Sequence, residues 1–129
     1  AALPFAAGSF ALLTSLNLLD CVGSPHGHLD STARVLAPGG LALICTPYDW
    51  SAAATPPQAW LGGHSQRAEG RGASEPLLRA LLGGEHPRAV KSLELVAERG
   101  AMPWSVRVHD RSVVQYSAHL VVARRTAGS

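Results

Sequence analysis

Leu3-Pro4-Phe5-Ala6-Ala7-Gly8-Ser9-Phe10-Ala11-Leu12-Leu13-Thr14-Ser15-Leu16-Asn17-Leu18-Leu19-Asp20 carries the reading of the fold. Within it, Phe10 to Ser15 is a short apolar run ending in Thr-Ser, the pattern of a strand buried on both faces of a parallel sheet. The spacing then changes. Ser24-Pro25 starts a helix, with Ser24 as cap and Pro25 in the first turn, and Leu29, Ala33, Val35 and Leu36 form its core-facing side. Pro38-Gly39-Gly40 stops the helix, and Leu41 to Cys45 is a second, almost uniformly apolar strand. A strand, a helix and a strand after a tight glycine turn make half of a doubly wound α/β sheet, and the crossover makes the two strands parallel.

Outward from this unit, residues 46–73 are rich in Pro, Gly, Ala and polar residues and carry the aromatics Tyr48, Trp50 and Trp60. A loop of that length inside a compact domain is functional or disordered, and its aromatics favour a functional loop on the substrate side. Ser74-Glu75-Pro76 opens a second helix, Pro76 to Leu82, which Gly83-Gly84 ends. Ser92 to Glu98 alternates Leu93, Leu95 and Ala97 with polar neighbours, and Val113 to Arg125 is a longer β-branched run. These predict two more strands, joined as a hairpin across Gly100 to Arg111.

The 129 residues suffice for one domain, and 47% hydrophobic content argues against disorder. A net charge of +2 with scattered basic residues offers no phosphate-tracking face, so nucleic acid is not an expected partner. Cys21 and Cys45 lack a disulfide-framework spacing, and no apolar run approaches a membrane span. Those features predict a soluble, cytoplasmic protein without membrane partners. With no initiator Met and no signal-peptide pattern, Ala1 reads as a truncation point.

Several strings resemble a known family. Leu3-Pro4-Phe5 with Gly8-Ser9-Phe10, and Arg34-Val35-Leu36-Ala37-Pro38-Gly39-Gly40, are similar to the stretches leading into the fourth and fifth strands of class I S-adenosylmethionine-dependent methyltransferases. The resemblance covers nearly the whole chain and implies a partial Rossmann-like sheet, strands four to seven, with the last strand antiparallel. Residues 1–129 would be the C-terminal part of one domain. The glycine-rich loop and acidic residue that hold the cofactor in that family would lie before Ala1, so the chain would need its own N-terminal half. Narrower strings are Asn17-Leu18-Leu19-Asp20, Thr46-Pro47-Tyr48-Asp49-Trp50, Trp60-Leu61-Gly62-Gly63 and Met102-Pro103-Trp104. They resemble the ovothiol-biosynthesis domain that methylates the imidazole of a mercaptohistidine, and the first also resembles histidine methyltransferases.

The resemblance implies S-adenosylmethionine as cofactor. Leu3, Pro4 and Phe5 would lie near its adenine, and Ser15, Leu16 and Asn17 near its methionine end. Asp20 and Asn17 would be catalytic, orienting a small-molecule acceptor whose pocket also includes Tyr48, Trp50 and Trp60. The chemistry is consistent: a carboxylate accepting one ring N–H of an imidazole fixes its tautomer and makes the other nitrogen more basic. Plainer roles stand beside these. Asn17 and Asp20 favour turns and helix caps, and each aromatic suits a loop anchor. Cys21, His26 and His28 match no structural zinc spacing, and no metal is expected. His64, His86, His109 and His119 read as solvent-facing or core-edge residues. Gly39-Gly40 precedes a strand instead of opening a helix, so it is a turn and not a phosphate loop. The rival to an enzyme is a truncated or degenerate methyltransferase fragment without activity, serving at most as an interaction surface.

Overall fold

The computed structural model describes residues 3–63 and 73–126. In chain order its main elements are β1 (Phe10–Leu16), α1 (Pro25–Val35), β2 (Leu36–Thr46), α2 (Ser74–Gly83), β3 (Leu93–His109) and β4 (Ser112–Arg125). Short 3₁₀ turns lie at Leu19–Cys21 and Pro57–Ala59. The strands form one sheet in the order β1-β2-β4-β3. β1 and β2 are parallel, with Leu12 opposite Leu41 and Leu16 opposite Cys45. The last strand inserts antiparallel between β2 and β3, with Ile44 opposite Val121. A parallel pair needs a crossover, and α1 supplies it.

The caps act as their residue types dictate. The Ser24 side chain accepts from the Gly27 N–H at 3.0 Å, with Pro25 in the first turn, where its missing N–H costs nothing. At the end of α2, Gly84 takes the left-handed conformation, φ 80°.

Two expectations about strand limits are corrected. Pro38-Gly39-Gly40 does not separate helix from strand: α1 ends at Val35 and strand pairing resumes at once, with Phe10 opposite Leu36. The three residues form an irregularity inside β2, where the partner of Leu12 is already Leu41. A Cβ on Gly40 would meet the Ala37 carbonyl oxygen at 2.9 Å and that of Phe10 at 3.1 Å, so only glycine fits there. The hairpin is also longer than predicted. Gly100 to His109 continues β3, and the turn is Asp110-Arg111, with His109 opposite Ser112. Gly100 and Pro103 read as strand breakers, but β3 is an edge strand: an edge tolerates proline, and Gly100-Ala101 sits in a bulge between Arg99 and Met102.

Both helices cover one face of the sheet. Leu29 and Ala33 of α1 and Leu78, Leu81 and Leu82 of α2 pack with Ala42, Ile44, Val121 and Ala123 into one core. Fully burying each leucine contributes about 1.5–3 kcal/mol. The opposite face is uncovered among the described residues: Leu12 is 57% exposed and Leu16 55%. The expected burial of β1 on both faces is therefore corrected to burial on one, since nothing described lies over the other.

Candidate functional site

Beyond the carboxyl ends of β1 and β2 lies a cavity of about 180 Å³, lined by Asn17, Asp20, Cys21, Pro47, Asp49, Trp104, Val106 and Tyr116. That is where ligands bind in open α/β sheets. β1 delivers Asn17, whose N–H bonds the Cys45 carbonyl at 2.7 Å and whose φ of 55° turns the chain sharply. Asparagine tolerates that left-handed conformation better than most residues. Its Oδ1 is buried without a hydrogen-bond partner among the described residues. Leu19, fully buried, then pins the following 3₁₀ turn to the core and places Asp20, 3% exposed, at the cavity floor.

Asp20 joins the two loops. Its Oδ2 accepts the Asp49 N–H at 2.7 Å, and Thr55 Oγ1 donates to the Val22 carbonyl at 2.5 Å. Asp49 in turn accepts from the Tyr116 hydroxyl at 3.1 Å, which holds that phenol above its ordinary pKa. Trp104, directly opposite Tyr116 on the hairpin, completes the outer wall and is 40% exposed. The Cys21 thiol is pushed up by burial, reinforced by its hydrogen bond to Asp20, and so is unsuited to be a nucleophile.

The structure thus brings Asn17 and Asp20 together, and it places the remaining predicted residues elsewhere. Tyr48, at φ 54°, turns to the helix-covered face. Its hydroxyl meets His119 Nδ1 at 2.6 Å, His119 Nε2 meets Glu98 at 2.8 Å, and Arg79 bridges Glu98 and Glu75. Burial pushes the Tyr48 phenol far up. Trp50 and Trp60 stack at 6.2 Å, and their indole N–H groups donate to Ser74 Oγ and the Thr55 carbonyl, each at 2.8 Å. Tyr48 and Trp50 pack on the core, whereas Trp60 walls a separate pocket of about 300 Å³ between α1 and α2.

Of the residues assigned to the cofactor, Ser15 bonds His28 on α1 at 3.1 Å, and Leu16 is exposed at the strand end. The carbonyls of Leu3 and Phe5 accept from Arg34, holding Leu3-Pro4-Phe5 beside β1, where Phe5 stacks edge-on with Phe10 at 5.0 Å. Phe5 therefore sits at the start of β1 and Leu16 at its far end, about 20 Å along the strand, so the structure does not bring the residues assigned to the cofactor into one wall. No glycine-rich turn from a strand into a helix lies among the described residues.

His119 is buried, neither solvent-facing nor at the core edge, the two positions expected for it. His64 and part of the 46–73 loop lie outside the described residues. Cys21, His26 and His28 bond three different partners: Asp20, the Arg88 carbonyl and Ser15. Glu75, Glu98 and His119 do bring ligating atoms within 4.8 Å of one another. Arg79 already supplies the positive charge there, and with His119 it holds the Glu98 carboxyl below its ordinary value.

Sequence reasoning missed Asp49, Trp104 and Tyr116. Asp49 stood among the aromatics of the 46–50 string, but the hairpin pair was invisible once Gly100 to Arg111 was read as a loop.

No protein-family model and no curated protein sequence matches the chain. Solved structures do. An S-adenosylmethionine-dependent methyltransferase from Methanosarcina mazei is 16% identical with a TM-score of 0.57, the match covering 97% of this chain and 63% of that one. The chain has a partial class I methyltransferase fold. A structure described with the conversion of a disulfide bond into a thioacetal group in echinomycin biosynthesis gives 14% identity and a TM-score of 0.61, covering 95% of this chain and 52% of that one. The cyclase SpnF gives 14% and 0.56, covering 98% and 53%. The chain therefore spans about half to two thirds of the length of these proteins. One neighbour being a cyclase, the fold alone does not name the reaction. None of the three names a histidine or an imidazole, so the narrower likeness to the ovothiol domain has no support from them.

Proposed function

We propose that this chain is the acceptor side of an S-adenosylmethionine-dependent methyltransferase acting on a small molecule, with an imidazole nitrogen of a histidine derivative as the acceptor. The observation that carries this reading is the cavity at the carboxyl ends of β1 and β2, floored by buried Asp20 and walled by Asp49 and Tyr116. S-adenosylmethionine, when bound, supplies a methyl group on a positively charged sulfur. The chain's own residues orient and neutralise. Asp20 accepts from the Asp49 N–H at Oδ2 and from the Cys21 thiol at Oδ1 and keeps a further lone pair on each oxygen, so it accepts the N–H of the ring and leaves the opposite nitrogen with its lone pair free. An imidazole with a pKa of about 6.5 is mostly neutral at pH 7 and needs no stronger base. As the bond from the ring nitrogen to the methyl carbon forms and the methyl–sulfur bond breaks to leave a neutral thioether, the ring becomes cationic. Asp20 and Asp49 stabilise that charge, and the proton on the ring nitrogen bonded to Asp20 is lost to water once the product leaves the cavity.

In this reading residues 1–129 are the C-terminal part of one domain, the main cofactor contacts come from an N-terminal half, and the enzyme works in the cytoplasm with reduced Cys21 and Cys45. No helix among the described residues is long and apolar enough to cross a membrane. The test uses a protein that joins this chain to its donor-binding half. Asp20→Asn should lower the single-turnover rate about a hundredfold, the low end for a positioned proton-accepting group, with donor affinity unchanged. Asn17→Ala should follow it. Loss of donor affinity with an unchanged single-turnover rate would move both residues to the cofactor pocket. The rival reading, a non-catalytic interaction surface, draws on the uncovered sheet face, and a joined protein that binds donor yet methylates none of a panel of imidazoles and amines would favour it.

A further inference from the structure

We infer that the mouth of the cavity recognises a protonated nitrogen on its ligand, an ammonium group held by the Asp49 carboxylate against the rings of Trp104 and Tyr116. The inference rests on the cavity being the acceptor's seat, and it concerns binding alone.

The arrangement on the page is one-sided in charge. Two carboxylates, Asp20 and Asp49, line the cavity, and no Lys, Arg or His lines it among the described residues. Asp20 lies at the floor, buried and bonded to the Asp49 N–H, whereas the Asp49 side chain is exposed at the mouth. Among the described residues, Asp49 receives one side-chain hydrogen bond, from Tyr116 to Oδ2, so Oδ1 retains its capacity for a donor from outside. Two aromatic rings complete the mouth, Trp104 and Tyr116, cross-strand partners on the hairpin. The face of an aromatic ring attracts a cation, most strongly in tryptophan, and a carboxylate beside it supplies the counter-charge and a strong acceptor. An anion at the same place would face two carboxylates with no compensating base.

The sharp turn that makes this mouth also explains its independence from the Tyr48 network. At left-handed Tyr48 the chain sends the phenol to His119 on the helix-covered face and Asp49 to the cavity, so a change at Asp49 leaves the buried network untouched.

The experiment is an NMR titration of the protein, following the Trp104 indole N–H with three probes: methylammonium, tetramethylammonium and acetate. Methylammonium should saturate, tetramethylammonium should bind more weakly because it has no N–H for Asp49, and acetate should not saturate. Asp49→Asn keeps an acceptor for Tyr116 and should weaken methylammonium about fivefold, the upper end for an exposed ion pair. Tyr116→Phe removes the hydroxyl that competes for the carboxylate and should leave methylammonium binding equal or tighter, an outcome that partial unfolding does not mimic. Acetate binding as well as methylammonium, or methylammonium binding unchanged in Asp49→Asn, would overturn the inference. Ammonium binding in a protein that transfers no methyl group would keep this inference and remove the proposed function, and methyl transfer with no preference for cations would do the reverse.

Discussion

The two faces of the sheet are built from nearly the same residues and live in different environments. Leu12 and Leu13 are chain neighbours on β1: Leu13 packs against the core beneath the helices, while Leu12 is 57% exposed on the other side. Largely apolar strands such as Phe10–Leu16, interrupted only by Thr14 and Ser15, suit burial on both faces. Here only one face is covered. The difference shows that neighbouring apolar residues of one strand take their burial from what packs over each face.

The comparison breaks first on the covered face. Leu29 of α1 and Leu78 of α2 are both fully buried in the shared core. Truncating either to alanine removes the transfer energy of the lost methyl groups and leaves a cavity that the sheet cannot collapse to fill. Leu29→Ala and Leu78→Ala should each cost about 2–5 kcal/mol, read as a lower urea midpoint with an unchanged slope. A cost below about 1 kcal/mol, typical of surface sites, would mean that the two faces are equivalent after all.

A smaller effect sharpens the same contrast by pH. His28 of α1 is buried under the covered face, bonded to Ser15 of β1, and burial lowers its pKa below the ordinary value of 6.5. The fold therefore favours the neutral ring. Above 6.5 folded and unfolded states both hold it neutral and stability is unaffected; as pH falls below 6.5 the unfolded state takes up the proton first, and stability is lost until the lowered folded pKa is passed. Thermal unfolding between pH 7.5 and about 5 should show a steeper decline for the wild type than for His28→Gln. Parallel curves would mean that His28 contributes no linkage and that the α1–β1 contact is open to solvent.

Much of this was legible in the sequence, and the illegible parts have physical causes. Ser24-Pro25 and Gly83-Gly84 announced the helix ends because capping is local, decided by one side chain and a few backbone groups. The parallel pairing of β1 with β2 followed from the crossover. Strand limits failed where tertiary setting overrides local preference: Gly40 is required by the carbonyls of Ala37 and Phe10, and Pro103 is tolerated because β3 lies at an edge. The site divided in the same way. Asn17 and Asp20 follow a strand end directly and were visible, while Trp104 and Tyr116 reach the cavity only through a hairpin register set by the Asp110-Arg111 turn. The aromatics Tyr48, Trp50 and Trp60 do not line this cavity, and composition could not show that, because it does not tell which way a loop side chain turns. A left-handed residue at Tyr48 decided it.

The smallest effect on stability comes from the uncovered face, where it should coincide with the largest change in solution behaviour. Phe10–Leu16 has no charge and no proline, and its outer edge is unpaired in the described sheet. Such an edge, flanked by exposed Leu12 and Leu16, is a template for pairing with another chain. Leu12→Lys places a charge on the bare face without disturbing the core, so its unfolding free energy should change by no more than about 0.5 kcal/mol. Light scattering should nevertheless show the wild-type chain associating and the variant shifted toward monomer, because a lysine buried between two such faces would lose its hydration with no partner. If the wild type is already a monodisperse monomer with a cooperative unfolding transition, the β1 edge is protected and the contrast between the faces is weaker than their exposure indicates. If the variant unfolds several kcal/mol more easily, Leu12 is part of the core and the face is not bare.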